Sequence, residues 1–231
     1  MNLGILETGG PPADLATRYP SYSDMMRRVL GPAFRARVYD VQRGVLPGTS
    51  GECDAWLVTG SAAGVYDPDP WIAELKAFLR KVSGQAPMVG ICFGHQVMAD
   101  AFGGQVIKSP KGWGIGLHTY EVVRSFPWMD SSAPVRLSAS HQDQVVSLPP
   151  GAEVVARSDF TPFAMMAYPE RRAISLQAHP EFTADYTGAL IESRKGTRLD
   201  AELADAAIAS LAGDDDRERV AIWLRRFLAS A

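Results

Sequence analysis

Short apolar runs alternate with stretches of helical periodicity through the first half of the chain. Four runs have the length of β-strands, and they lie at 3–6, 37–41, 55–58 and 87–92. Three stretches carry apolar residues at helical spacing, and they lie at 14–30, 71–82 and 94–102. The apolar runs at 55–58 and 87–92 are continuous, as in strands that are buried on both faces of a sheet. This alternation predicts a largely parallel sheet with helices packed on it.

The middle of the chain has a different pattern. Short apolar stretches separated by Pro and Gly turns indicate antiparallel strands, and they lie at 117–123, 135–140, 145–148, 154–156 and 163–167. Another core strand is predicted at 173–178, and three helices are predicted to close the chain. We therefore expect an α/β fold, a three-layer sandwich with a mainly parallel central sheet and an inserted antiparallel β-segment. We expect residues 1–231 to form a single domain.

Composition narrows the class of protein. Of the 231 residues, 46% are hydrophobic and 21% are charged, which is ordinary for a globular protein. The net charge of −3 gives no electrostatic basis for binding nucleic acid or an anionic membrane. The longest apolar run, at 163–168, is far shorter than the roughly 18 residues that cross a bilayer. The first residues, MNLGILETGG, have no signal-peptide pattern, and two cysteines are too few for a disulfide framework. We expect a cytoplasmic location.

The segment around Cys92 carries the strongest chemical signal. An apolar strand leads into Gly90-Ile-Cys92-Phe93-Gly94 and then into a predicted helix. This is the strand–turn–helix context of a nucleophile elbow, with cysteine in place of serine. Side chains at positions 90 and 94 would crowd such a turn, and a helix N-terminus favours a thiolate. The alternative is that Cys92 is only a small buried apolar residue, as Cys53 is expected to be.

A cysteine nucleophile needs a base, and the four histidines differ in their prospects. His95 lies on the departing helix and His118 lies inside a predicted strand, so neither is assigned this role. His141 and His179 both end strands and can reach the carboxyl edge of the sheet. His179 is favoured because Glu181, two residues further on, lies on the same face of an extended segment. A carboxylate there can fix the imidazole in one tautomer.

The motif Gly-Ile-Cys-Phe-Gly-His-Gln at 90–96, with His-Pro-Glu-Phe at 179–182, resembles the class I glutamine amidotransferase family. The segment 140–143 is similar to a substrate-site segment of the GMP-synthase-type members. The resemblance implies a flavodoxin-like fold, with Cys92 as nucleophile, His179 as general base and acid, and Glu181 orienting the histidine. It also implies a group of oxyanion and substrate-binding residues, namely Gly60, Ser61, Phe93, Gln96, His141 and Asp143.

The implied reaction is hydrolysis of the side-chain amide of glutamine through a γ-glutamyl thioester on Cys92. It implies no metal and no organic cofactor. Two features depart from the GMP-synthase pattern. The sequence lacks the Ser-Gly-Gly-x-Asp-Ser motif of the ATP-pyrophosphatase type found in GMP synthase, and residues 59–63 stand where those members have a Gly-Gly-Pro run. It also has no Gly-x4-Gly-Lys-Ser/Thr motif, so nothing in it is equipped to activate an acceptor for ammonia. The ammonia would therefore pass to a separate synthase subunit.

Three hypotheses remain open. The first is a free-standing glutamine amidotransferase that gives ammonia to a synthase. The second keeps the same triad in a hydrolase of γ-glutamyl amides or peptides that needs no partner. The third is a metal-binding or structural module in which Cys92, His95, His141 and His179 form a tetrahedral site. The third is disfavoured because a Cys-x2-His spacing across a strand–helix corner is poorly shaped for chelation.

Overall fold

The structure is a computed structural model that describes residues 1–230. In the first half, strands alternate with helices: β1 (Asn2–Glu7), α1 (Tyr22–Leu30), β2 (Arg35–Asp40), β3 (Ala55–Val58), α2 (Pro70–Val82), β4 (Met88–Ile91) and α3 (Phe93–Ala101). Seven strands follow: β5 (Gln105–Lys108), β6 (Gly114–Val122), β7 (Val135–His141), β8 (Asp143–Ser147), β9 (Glu153–Arg157), β10 (Met165–Tyr168) and β11 (Ala173–Leu176). The last helices are α4 (Ala184–Glu192), α5 (Ala201–Ser210) and α6 (Arg217–Ala229). None of the helices in residues 1–230 combines the length and the apolar character that a membrane span requires.

A long mixed sheet organises the molecule. Within residues 1–230 it has nine strands in the order β2-β1-β3-β4-β11-β10-β9-β6-β7. The first five strands in this order, β2, β1, β3, β4 and β11, run parallel to one another. From β11 onward, β10, β9, β6 and β7 pair antiparallel, while β5 and β8 form a separate small antiparallel sheet. The predicted α/β fold, with a parallel centre and an inserted antiparallel segment, is confirmed.

The two faces of the sheet bury two separate hydrophobic cores. Alternate residues of a strand point to opposite faces, and β3 shows this directly. Ala55 and Leu57 enter the core that contains residues of α1 and α6. Trp56 and Val58 enter the core that contains residues of α2 and α3. The strand is therefore apolar at every position because helices cover both of its faces.

Two elements differ from the predicted ones. The first helix begins at Tyr22 rather than near Asp14, since the side chain of Ser21 caps it by accepting a hydrogen bond from the Asp24 N–H at 3.1 Å. Residues 13–18, which the prediction placed in this helix or beside it, form turns instead. Strand β5 was not predicted, because Val106 is the one buried residue of its four. A single buried side chain produces no detectable period.

Gly94 allows α3 to pack directly on the end of β3. A Cβ atom at position 94 would lie 2.4 Å from the carbonyl oxygen of Val58. A Cβ atom at position 90 would lie 2.5 Å from the carbonyl oxygen of Gly94. The two glycines of the elbow motif are therefore required by close backbone packing.

Replacing Gly94 with Ala should lower the free energy of unfolding by about 1–3 kcal/mol, because the new methyl group must displace the backbone of β3. Gly188→Ala in α4 is the matched control, since the atom nearest to its Cβ, Leu211 Cδ1, is 3.7 Å away. That control should be neutral or should stabilise the protein by about 0.5–1 kcal/mol. Urea unfolding measures both values. Equal effects at the two positions would contradict the packing argument.

Candidate active site

Cys92 lies in a strained turn between β4 and α3. Its backbone angles are φ 52° and ψ −101°, a region that residues with a side chain rarely adopt. The N–H of Cys92 donates to the carbonyl oxygen of Leu176 in β11 at 2.8 Å, and the N–H of Gly94 donates to that of Thr59 at 3.2 Å. Such a conformation costs about 1–3 kcal/mol and persists when its surroundings fix it. The backbone therefore has the elbow shape that the glycine pattern predicts.

His179 and Glu181 follow β11 and form a buried pair. The distance from His179 Nδ1 to Glu181 Oε1 is 2.8 Å, and the two side chains are 3% and 1% exposed. Burial by itself lowers the pKa of His179, but the charges of Glu181 and Cys92 outweigh it, so the pKa is raised. The ring of Phe182 stacks on the imidazole, with centroids 3.9 Å apart and an angle of 5° between the planes. The carboxylate and the aromatic ring together fix the orientation of the imidazole.

The side chains of Cys92 and His179 meet beside Gly60. A Cβ atom at position 60 would lie 3.1 Å from His179 Cε1 and 3.7 Å from Cys92 Cβ. Cys92 and His179 also line the same cavity. The structure thus brings together the sulfur and the imidazole that the sequence analysis paired. Glycine at position 60 leaves room for both.

Two cavities adjoin Cys92. The smaller, of about 320 Å³, is also lined by His179 and Phe182. The larger, of about 810 Å³, is lined by the predicted residues Gln96, His141 and Asp143. Several residues line both cavities: Ser61, Ala62, Ser140, Arg194 and Arg198. Cys92 therefore lies between two cavities whose other lining residues differ in part.

A hydrogen-bond network shapes the wall of the larger cavity. Gln96 Nε2 donates to the carbonyl oxygen of Asp143 at 2.9 Å and to Gln177 Oε1 at 3.1 Å. Gln177 Nε2 in turn donates to Cys92 Sγ at 3.7 Å. Burial raises the pKa of the Asp143 carboxyl, opposed by a hydrogen bond from Tyr66. The side chain of Gln96 is thus connected to the sulfur through one intervening residue.

Backbone donors surround the turn. Within residues 1–230, the N–H groups of Gly60, Ser61 and Phe93 donate to no protein acceptor. The side chain of Phe93 is buried and packs on Trp71 at 5.4 Å between ring centroids, so only its backbone is suited to face a ligand. These three N–H groups are therefore available to donate to a ligand.

Two of the remaining histidines, His95 and His141, are buried and lie beside polar groups of neighbouring strands. His95 Nδ1 is 2.8 Å from Ser175 Oγ, and burial lowers the pKa of His95 to about 3. His141 Nδ1 is 3.2 Å from the carbonyl oxygen of Asp143, and burial lowers the pKa of His141 to about 3. Among residues 1–230, no three or more His, Cys, Asp or Glu side chains are grouped so that they could hold a metal ion.

Arg194 and Arg198 are site residues that the sequence analysis missed. Both follow α4 and line both cavities. The segment Ser193-Arg-Lys-Gly-Thr-Arg198 has the composition of a solvated helix end, where basic residues are common. Nothing in the local sequence distinguishes a cleft arginine from a surface one.

Comparison with known proteins identifies the family. The family profile described as "Glutamine amidotransferase class-I" matches residues 46–196 of the chain. The chain belongs to the class I glutamine amidotransferase family. A glutamine amidotransferase-like protein of Schizosaccharomyces pombe is 26% identical to this member, with 98% of each chain covered. Gamma-glutamyl peptidase 5 of Arabidopsis thaliana is 28% identical, over 76% of this chain and 73% of its own length. GMP synthase [glutamine-hydrolyzing] of Phenylobacterium zucineum is 36% identical over 59% of this chain, but the match spans only 26% of its length.

Solved structures share the fold of this class I amidotransferase. A glutamine amidotransferase from Thermotoga maritima superposes with a TM-score of 0.72 at 21% identity, covering 99% of this chain and 97% of that one. A glutamine amidotransferase from Methylobacillus flagellatus gives a TM-score of 0.73 at 21% identity, covering 99% and 94%. At this identity the likeness concerns the fold.

Ring-nitrogen NMR should find His179 as an imidazolium at about pH 7 and above, while His95 and His141 stay neutral down to about pH 5. Glu181→Gln should lower the pKa of His179, because the change removes the negative charge that favours the protonated ring. His95 and His141 are internal controls in the same spectra, since burial lowers the pKa of both rings. A His179 pKa unchanged by Glu181→Gln would contradict this electrostatic account.

Proposed function

We propose that this class I glutamine amidotransferase hydrolyses the side-chain amide of glutamine through a thioester on Cys92. The observation that carries the proposal is the juxtaposition of an elbow cysteine with His179, whose ring is bonded to the buried carboxylate of Glu181 at 2.8 Å. Both Cys92 and His179 line one cavity, so a substrate can reach them together. The orphaned N–H groups at the turn support the same chemistry.

At the start of the reaction, His179 holds the proton that Cys92 and His179 share, and Sγ attacks the side-chain carbonyl carbon of glutamine as a thiolate. The negative charge of Glu181 stabilises the imidazolium of His179. The carbonyl oxygen becomes an oxyanion within reach of the N–H groups of Phe93, Gly60 and Ser61. A donor of this kind contributes about 3 kcal/mol to lowering the barrier.

In the second step, His179 gives its proton to the departing nitrogen as the C–N bond breaks. Ammonia leaves, and the γ-glutamyl group remains bonded to Cys92 Sγ. Water then attacks the thioester carbon while His179 takes one of its protons. Cleavage of the C–S bond releases glutamate, and His179 keeps the proton from water, so that the thiolate of Cys92 and the imidazolium of His179 are restored.

The larger cavity suits the amino-acid end of the substrate. The carboxylate of Asp143 and the ammonium group of Lys108 both line it, and their charges are close enough to interact. Opposite charges on one wall complement a zwitterion. Gln96 lies on the same wall and is held by its bonds to Asp143 and Gln177. We infer that glutamine enters this cavity with its side-chain amide towards Cys92.

The fate of the ammonia separates two candidate functions. In the first, a separate synthase subunit accepts it in the cytoplasm; in favour of this, the GMP synthase relatives extend far beyond the part that the chain matches. The second candidate is hydrolysis of γ-glutamyl peptides without a partner. The cavity of about 320 Å³ beside His179 favours it, because one water molecule occupies only about 30 Å³ in the liquid and ammonia is of similar size.

Cys92→Ala should abolish the release of ammonia from glutamine, with a loss of roughly 10⁴-fold or more, because the nucleophile is removed. Circular dichroism and thermal unfolding should show an intact fold. Cys53→Ala is the matched control, since Cys53 is buried beside Tyr39 and away from both cavities, and it should retain activity. A glutamine-like alkylating reagent should label Cys92; labelling at another position would show that the nucleophile is misassigned.

The isolated protein should also be assayed with glutamine and with γ-glutamyl dipeptides. Rapid hydrolysis of dipeptides without any partner would support the peptidase candidate and count against the synthase-coupled one. Inertness towards dipeptides, with glutamine hydrolysis that appears only when a synthase is added, would have the opposite meaning.

A further inference from the structure

The cleft contains positive charge that the protein does not neutralise. Arg194 and Arg198 line both cavities at Cys92. Within residues 1–230, neither guanidinium forms an ion pair with a carboxylate. Asp14 also lines the smaller cavity, but its side chain is exposed. Two cations against one solvated anion leave the smaller cavity positively charged.

Arg194 is held in place without a carboxylate. Its Nη1 donates to Ser140 Oγ at 3.1 Å, and its guanidinium lies 5.8 Å from the ring centroid of Trp113. Burial and the neighbouring charge of Arg198 lower the pKa of Arg194. A partly buried cation without an anion is costly. A ligand carboxylate would offset that cost, and the fixed guanidinium is suited to bind it with two parallel hydrogen bonds.

The two cavities have different catalytic neighbours. His179 lines the smaller cavity and not the larger, whereas Gln96 and Asp143 line the larger and not the smaller. Cys92 lines both. Because His179 protonates the departing nitrogen in the proposed reaction, the leaving group must lie on the side of His179. The smaller cavity is therefore the leaving-group side, and the larger cavity holds the γ-glutamyl group.

We propose that the smaller cavity binds the second amino acid of a γ-glutamyl dipeptide, and that Arg194 and Arg198 bind its free carboxylate. The proposal rests on the proposed Cys92 thioester mechanism and names the substrate class of that site. Sγ of Cys92 bonds to the γ-carbonyl carbon, the amide C–N bond breaks, and the proton on His179 goes to the amine of the departing amino acid. Water then releases glutamate from the thioester.

One other carboxylate could occupy the same arginines. Because Arg194 and Arg198 also line the larger cavity, they could instead bind the α-carboxylate of the γ-glutamyl group. The two sources differ in one respect. A leaving-group carboxylate is present in γ-glutamylalanine and absent from γ-glutamylethylamide, whereas the γ-glutamyl carboxylate is present in both.

The test compares kcat/KM for γ-glutamylalanine and γ-glutamylethylamide in the wild type, Arg194→Gln and Arg198→Gln. The ratio kcat/KM reports the steps up to formation of the thioester. Both substrates form the same γ-glutamyl thioester, so a difference between them comes from the leaving group. Each variant should lose about 10- to 100-fold with γ-glutamylalanine, the range expected for a charged hydrogen bond, and less than about 3-fold with γ-glutamylethylamide. Arg28→Gln is the matched control, because Arg28 is exposed on α1 and lines neither cavity. It should leave both substrates unchanged.

Equal losses with the two substrates would place the arginines on the γ-glutamyl group and overturn the proposal, as would no loss with either. In both cases hydrolysis that depends on Cys92 would leave the proposed function standing. Arg198→Gln decides the matter if Arg194→Gln unfolds, since Arg198 is exposed. If the wild type hydrolyses glutamine but neither of these two substrates, the proposal is overturned and the proposed function stands. If it hydrolyses none of the three, the proposed function fails. Calorimetry on Cys92→Ala then tests the binding site alone. The proposal is supported if this variant binds γ-glutamylalanine more tightly than γ-glutamylethylamide and if adding Arg198→Gln abolishes the difference. Any other result overturns it.

Discussion

The turn at Cys92 is the constraint on which the site depends. A side-chain-bearing residue at φ 52° is unfavourable, and the fold offsets that cost with tight backbone packing on both sides of the cysteine. The N–H of Cys92 is tied to β11, and the absence of a side chain at Gly94 lets α3 lie against β3. The strain is therefore placed at a buried turn that is packed between β3 and β11. The same rigidity that maintains the turn aims the sulfur at the cleft.

The order of the parallel strands explains why the other groups reach that sulfur. β3, β4 and β11 are neighbours in the sheet, and their carboxyl ends lead to Gly60, Cys92 and His179 respectively. Sites of α/β proteins form at this edge. The antiparallel extension contributes as well, because the N–H of His179 donates to the carbonyl oxygen of Ser138 in β7 at 2.9 Å. Without β7, the segment that carries the imidazole would lack its outer support.

Features that depend on local sequence were predictable, and features that depend on distant contacts were not. The elbow and the His179–Glu181 pair are visible because glycine spacing and a two-residue spacing have direct geometric consequences. The strand β5 was missed because its stability comes from pairing with β8, which lies more than thirty residues away along the chain. Arg194 was missed for the same reason: its partners Ser140 and Trp113 come from the β-rich middle of the chain. A charged residue at a helix end can be recognised as a site residue only when the tertiary fold shows that a cavity lies beside it.

The proposed chemistry of Cys92, His179 and Glu181 is common to both candidate functions, so the groups around these three residues must decide between them. Function is determined by the site rather than by the fold. On the side of His179, a path that serves only ammonia would gain nothing from two unneutralised guanidinium groups, since ammonia is uncharged and ammonium would be repelled. A departing amino acid presents the carboxylate that these cations lack. The electrostatics of the leaving-group side therefore favour an amide substrate larger than glutamine, even though the nucleophile, the base and the oxyanion donors would serve either equally well.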